Sequence, residues 1–186
     1  MAYRSKRRTM EIWDAYNDKR EKIGQYLVRG ERIPAGLYHL CVNVIVRHED
    51  GDILFMKRSS QKELYPNYFE FGAGGSVLAG EDSLSAVLRE LKEETGLDIQ
   101  SPKLCGVKDW VNSDGSRYIV FLYTCNTFTG EIISSSEGKV SWVKREDFLK
   151  LKLSVDMDVL IQVFEDPEIT EFYYQKVNEE WNIHLK

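Results

Sequence analysis

The residues best placed to do chemistry lie between Gly75 and Leu97, in the run GSVLAGEDSLSAVLRELKEETGL. Glu90, Glu93 and Glu94 stand at i, i+3 and i+4. At about 100° per residue, that spacing gathers three carboxylates on one side of a helix. Leu84, Val87, Leu88 and Leu91 form a separate apolar stripe on the same helix. Like charges at i, i+4 destabilise a helix, so the acidic face calls for a counter-charge. A hard divalent cation held through oxygen would supply it. Taken alone, E-x-x-E-E is also the signature of a solvated acidic surface, and the flanking residues must decide between the two.

The flanking residues complete a longer pattern. Gly75 is followed after five residues by Glu81, and after seven more by Arg89-Glu90-Leu91, Glu93-Glu94 and Gly96-Leu97. This fills every fixed position of the Nudix box, and the chain resembles the Nudix (MutT-like) hydrolases. The resemblance covers about residues 37–150. It implies an α/β/α sandwich with a mixed sheet. It also implies cleavage of a nucleoside diphosphate linked to some other group, with Mg²⁺ or Mn²⁺ as cofactor. Glu90, Glu93 and Glu94 then become metal ligands, and any of them can serve as the base. Arg89 lies four residues before Glu93 and can orient it by pairing. Gly75 offers a backbone carbonyl to the metal. Nudix sites often add an acid from a late loop, and SSSEGKVSW supplies Glu137.

A second constellation, KRSSQKELYP, lies upstream. Arg58 and Lys62 are candidates to hold phosphate oxygens, the first as a fork and the second as a point charge. Tyr68 and Phe69 lead into the glycine loop and are candidate pocket walls for a stacked base. The R-x-x-x-K-x-x-x-P spacing, with Tyr38-His39-Leu40, is similar to the isopentenyl diphosphate isomerases of the Nudix fold. Aligned from Pro66, however, the isomerase cysteine falls on Gly74 and its histidine ligand on Ser76. The resemblance is therefore to an isomerase-like branch carrying hydrolase chemistry, with His39 read as a structural histidine. An isomerase, or a weakly catalytic nucleotide-binding regulatory module, are the alternatives.

These residues need elements to position them. The pattern predicts a helix over about 82–95, capped by Asp82 or Ser83 and closed by Gly96. Residues 37–48 and 53–58 read as a hairpin turned at Asp50-Gly51, and 68–75 as a strand that breaks into glycines. Strands are expected at 102–111, 115–128 and 140–143, with a turn at Asp114-Gly115. Residues 11–36 read as a small strand pair. The tail, EDFLKL, DMDVLIQVFED and EITEFYYQKVNEEWN, reads as helices. The expected organisation is an N-terminal extension over 1–36, a Nudix domain over 37–150, and C-terminal helices over 151–186 packed on it.

Composition bounds the rest. With 42% apolar and 30% charged residues, the chain can fill a sizeable core. A net charge of −5 argues against a nucleic-acid polymer or a membrane as partner. The basic cluster Arg4, Lys6, Arg7 and Arg8 reads as a solvated terminus. Cys41, Cys105 and Cys125 are odd in number and form no CxxC pair, which fits reduced thiols in a cytoplasmic protein. The expected partner is a small-molecule diphosphate. The tyrosine-rich tail and the N-terminal strand pair could each build a homodimer or cap the core.

Overall fold

The computed structural model describes residues 10–111, 115–178 and 180–186. The basic tail at 1–9 and Asp114 lie outside them. A mixed six-stranded sheet dominates. In spatial order it comprises Glu180–Leu185 (β13), Glu171–Val177 (β12), Lys103–Val111 (β8), Arg117–Cys125 (β9), Leu40–Val46 (β3) and Ala73–Ser76 (β6). A three-stranded antiparallel sheet runs Gly138–Val143 (β11), Ile53–Arg58 (β4), Phe69–Phe71 (β5). Two small pairs complete the strands: Ile12–Tyr16 (β1) with Lys22–Val28 (β2), and Asp98–Ile99 (β7) with Phe128–Thr129 (β10). Two helices, Ser83–Thr95 (α1) and Met157–Glu165 (α2), and a 3₁₀ turn at Arg145–Lys150 pack on the sheets.

Alternation along β3 explains the layers. Val42, Val44 and Val46 point into one core with Val87 and Leu91 of α1. Ile45, on the opposite face, enters a second core with Phe55, Phe71, Phe148, Ile161 and Phe172 beneath α2. The two helices thus cover opposite faces, giving the α/β/α sandwich. Helix α1 begins where the sequence says it should: the Asp82 side chain accepts from Ser85 N at 2.7 Å. It ends at Gly96, whose φ of 80° is the left-handed conformation glycine adopts without strain.

Three expectations need correction. The turn after β3 forms, with His48 N donating to Asp52 O at 2.8 Å, but β3 and β4 do not run on as a hairpin. They diverge into different sheets, because β3 takes a parallel partner in β9 and an antiparallel one in β6. Likewise, 68–75 does not dissolve into a glycine loop. It switches sheets at Gly72 (φ +32°) and continues through the glycines as β6. A side chain at Gly72 would meet the Val44 carbonyl at 2.2 Å.

The largest correction is the tail. Glu171–Val177 and Glu180–Leu185 form an antiparallel strand pair, not a helix. Phe172 and Tyr174 alternate with Glu171, Tyr173 and Gln175, a period of two that a run of β-forming aromatics favours. β12 adds to the main sheet in parallel with β8, Phe172 opposite Lys108. Only Met157–Glu165 and the 3₁₀ turn bear out the helical reading of the C-terminal segment.

Phe172 is fully buried at this seam. Phe172→Ala should therefore cost about 3–5 kcal/mol of stability, read as a lowered midpoint in urea unfolding.

Candidate active site

The site is built where α1 runs against the bare backbone of β6. The approach needs glycine: a Cβ on Gly75 would lie 2.3 Å from the Glu90 carboxylate. One turn on, Glu94 Oε2 accepts from Gly74 N at 3.3 Å. Arg89 ties the pieces together. Its guanidinium donates two bonds to Glu81 (2.8 and 2.9 Å), one to Glu90 (2.7 Å) and one to the Ser76 carbonyl (3.0 Å). Its contact with Glu93, the partner expected from spacing, is longer at 3.6 Å, and the Glu93 side chain is 65% exposed. Glu81 also accepts from Leu78 N, which fixes the loop before the helix. The N-terminal pair braces the same loop: Asp14 accepts from Gly80 N at 2.8 Å, and Ala79 N donates to Ile12 O.

The electrostatics separate the carboxylates. Arg89 holds the Glu81 carboxyl below its ordinary pKa. Burial pushes Glu90 upward, against the pull of Arg89. Burial, reinforced by the Glu90 charge, pushes Glu94 up to about 7. Glu94 thus sits beside a like charge with one backbone N–H in direct contact.

Two connected spaces meet at Gly74–Ser76, Glu94 and Glu137. One is a groove along Glu11, Arg29, Arg89, Glu90 and Glu93. The other is a cavity of about 330 Å³ between the two sheets, floored by Asn43, Val120, Leu122, Lys108 and Trp110. Arg58 and Glu70 stand on its far wall. Arg58 donates to Glu70 at 2.7 Å and to the Leu64 carbonyl at 3.0 Å, so its fork is already engaged. Lys62 is ion-paired with Glu137.

Tyr68 and Phe69 do not line the cavity. Tyr68 stacks under the Lys152 ammonium, and Phe69 turns with Phe71 into the core beneath α2. The pleat of β5 sends Glu70 to the cavity instead. Sequence reading missed Asn43, Glu70 and Lys108. The signal for Lys108 was a charge between Gly106 and Trp110 on the inward-facing set of its strand. His39, stacked on Trp13 at 3.8 Å, is buried and held neutral with its pKa lowered to about 4.

A divalent cation at this site needs hard oxygen ligands. Among the described residues no three His, Cys, Asp or Glu side chains are arranged as a ready metal cluster. Glu90 and Glu94 nonetheless fit one. They are hard oxygen donors, mutually repelling and backed by a glycine strand with no side chain in the way.

The sandwich and the glutamate helix on a glycine strand define a Nudix-type site. The NUDIX domain model matches residues 37–164, and the chain belongs to the Nudix family. An uncharacterised Nudix hydrolase of Listeria monocytogenes is 43% identical over 90 residues, covering 48% of this chain and 53% of that protein. The match thus spans about half the length of that relative. An RNA pyrophosphohydrolase of Hydrogenovibrio crunogenus is 31% identical over 137 residues, covering 73% and 72%. The crystal structure of a mutator MutT protein from Bacillus halodurans superposes with a TM-score of 0.65 at 25% identity, covering 80% of this chain and 97% of that one.

The raised Glu94 pKa carries a sign. A carboxyl titrating at about 4.5 unfolded and about 7 folded stabilises the fold at low pH, and that contribution is lost as pH rises through 7. Without metal, Glu94→Gln should therefore be more stable than wild type at pH 8, by about 1–3 kcal/mol, with no advantage at pH 4. Thermal unfolding in EDTA at both pH values measures this.

Proposed function

We propose that the protein is a metal-dependent pyrophosphohydrolase acting on a small-molecule diphosphate, with a nucleoside diphosphate derivative as substrate. The observation that carries this reading is the pair Glu90 and Glu94, pressed against glycine backbone at the meeting of an open groove and a cavity. A Mg²⁺ or Mn²⁺ ion bound there supplies charge neutralisation for the diphosphate. Glu90, Glu94 and the Gly75 carbonyl are its proposed holders, with Glu93 reaching in from the exposed side and Glu137 from the late loop.

Glu94 is the proposed base. A carboxylate positioned at Gly74 N can accept a proton from the attacking water and release it at the end of the cycle. The water oxygen joins one phosphorus, the bridging P–O bond breaks, and the leaving phosphate carries away the bridge oxygen. Arg89 holds Glu90 in place rather than touching substrate. Arg58, on the cavity wall, and Lys62, paired with Glu137 where the two spaces meet, are proposed to take up phosphate oxygens by exchanging partners with Glu70 and Glu137. The name of the Hydrogenovibrio relative agrees with cleavage between phosphates.

The isomerase alternative is disfavoured at Gly74. Any Cβ there would lie 2.8 Å from both Asn43 Nδ2 and the Val42 carbonyl, so this strand has no room for a catalytic cysteine. The reduced-thiol, cytoplasmic reading stays with the proposal: all three cysteines are free, and no described helix is long and apolar enough to cross a membrane.

The test is a panel of nucleoside diphosphate derivatives, isopentenyl diphosphate and 5′-triphosphorylated RNA, assayed with and without Mg²⁺. Wild type should release phosphate or a monophosphate only with metal. Glu94→Gln should lose about 10²–10⁴-fold in kcat, the usual worth of a positioned base. Interconversion of isopentenyl and dimethylallyl diphosphate without hydrolysis would refute the reading.

A further inference from the structure

The junction of groove and cavity already holds a cation, and it belongs to the chain. β4 and β11 pair as far as Arg58 opposite Gly138, and the ladder runs one bond further, Ser59 N donating to the Glu137 carbonyl at 2.8 Å. Lys62 N in turn donates to Ser59 O at 3.2 Å, and Glu137 N to Ser135 Oγ at 3.1 Å. These bonds set the Lys62 loop against the Glu137 loop, and the two side chains close as an ion pair. Glu137 lines both spaces, as Glu94 does. The charges of Glu94 and Glu70 also reach the Lys62 ammonium, as do those of Arg58 and Arg29.

The acids at this junction differ in what they already hold. Glu70 has Arg58, and Glu90 has Arg89. Glu137 has Lys62, while Glu94 accepts from the Gly74 N–H. The cations differ in how easily they leave. Arg89 is fixed by its bonds to Glu81, Glu90 and the Ser76 carbonyl, and Arg58 by Glu70 and the Leu64 carbonyl. Among the described residues the Lys62 ammonium bonds Glu137 alone, and it does so at the end of a flexible aliphatic stem.

Glu137 cannot serve a divalent ion and keep the ammonium without setting two cations side by side, and their repulsion drives the ammonium off. A partly buried ammonium so released needs an anion, and the oxygens of a diphosphate supply one.

We propose that Lys62 is the counter-ion built into this site. It holds Glu137 when no metal is bound, competes with the metal for that carboxylate, and passes to the diphosphate when metal and substrate are both present. The proposal rests on the hydrolase reading above for where the metal sits, so its test reads metal binding without turnover. Because one ammonium is shared between carboxylate and phosphate, metal and diphosphate favour each other's binding, and by the same factor in both directions. Metal alone is then held weakly, and tight loading is reserved for metal that arrives with a diphosphate.

The experiment is calorimetry of Mn²⁺ binding, with no substrate, to wild type, Lys62→Met, Glu137→Gln and the double variant. Lys62→Met should bind Mn²⁺ about 3–10-fold more tightly than wild type, the worth of a partly buried charge pair. Glu137→Gln should bind it more weakly, and in that background Lys62→Met should bring a gain of less than about twofold. Arg29→Met removes a cation from the same groove and leaves the Lys62–Glu137 pair in place. It should change the affinity by less than about twofold, since charges at the rim are screened. Saturating methylenediphosphonate, whose bridge cannot be cleaved, should tighten Mn²⁺ binding more in wild type than in Lys62→Met, after correction for the complex it forms in free solution.

Unchanged or weaker Mn²⁺ binding by Lys62→Met overturns the proposal. So does a gain of the same size in the Glu137→Gln background, or one matched by Arg29→Met, since either is the effect of charge at a distance. In these cases diphosphate hydrolysis by wild type keeps the hydrolase reading. The expected pattern of Mn²⁺ affinities in a wild type that cleaves no diphosphate supports the counter-ion role and removes the hydrolase reading. A wild type that binds no Mn²⁺, with or without methylenediphosphonate, overturns both.

Discussion

The Arg89 guanidinium is the interaction on which the site depends. It joins three parts of the chain at one point: the loop through Glu81, the helix through Glu90 and the glycine strand through Ser76. A planar fork can bond both oxygens of Glu81 and still reach two further acceptors, which an ammonium cannot do. With its charge committed to Glu81 and Glu90, little of it reaches Glu94. The helix therefore carries one carboxylate that is neutralised and one that is not. That asymmetry, rather than the number of glutamates, gives two adjacent acids different proton affinities.

The glycine strand is the other half of this arrangement. β6 hydrogen-bonds to β3 as an ordinary edge strand, yet beyond Ala73 it presents backbone alone to the helix at Gly75. Carboxylates can rest against it at distances that any side chain would forbid. The N-terminal strand pair, which lies mostly ahead of the matched family region, contributes by holding Ala79 and Gly80. It is part of the scaffold of the site.

How much of this was legible in the sequence follows from the range of the forces involved. Helix α1, its Asp82 cap, its Gly96 terminus and its acidic face are local features, written in spacing. The sheet switch at Gly72 was not, because a glycine that permits a close backbone approach looks the same in sequence as one that permits a turn. The partner of Arg89 was misjudged for a similar reason. Helical spacing favoured Glu93, whereas the loop folds back to bring Glu81 closer. The tail was misread because EFYYQK satisfies both periods over so few residues, and only the exposed edge of β8 decides for a strand. Lys108 and Asn43 lie far apart in the chain, and only the assembled sheet brings both to the floor of one cavity.

The parallel docking of β12 on β8 divides the chain's work between its two ends. The helix carboxylates, the glycine strand and the loop that braces them are all complete by Leu97, with Glu137 the one later acid beside them among the described residues. The walls around Lys108 are not, since Phe172 and Tyr174 come from the last strand pair. That pair thus walls the cavity beside Lys108 without touching the contacts of Arg89 with Glu81 and Glu90, so the shape of that space and the geometry of the carboxylates rest on separate parts of the chain.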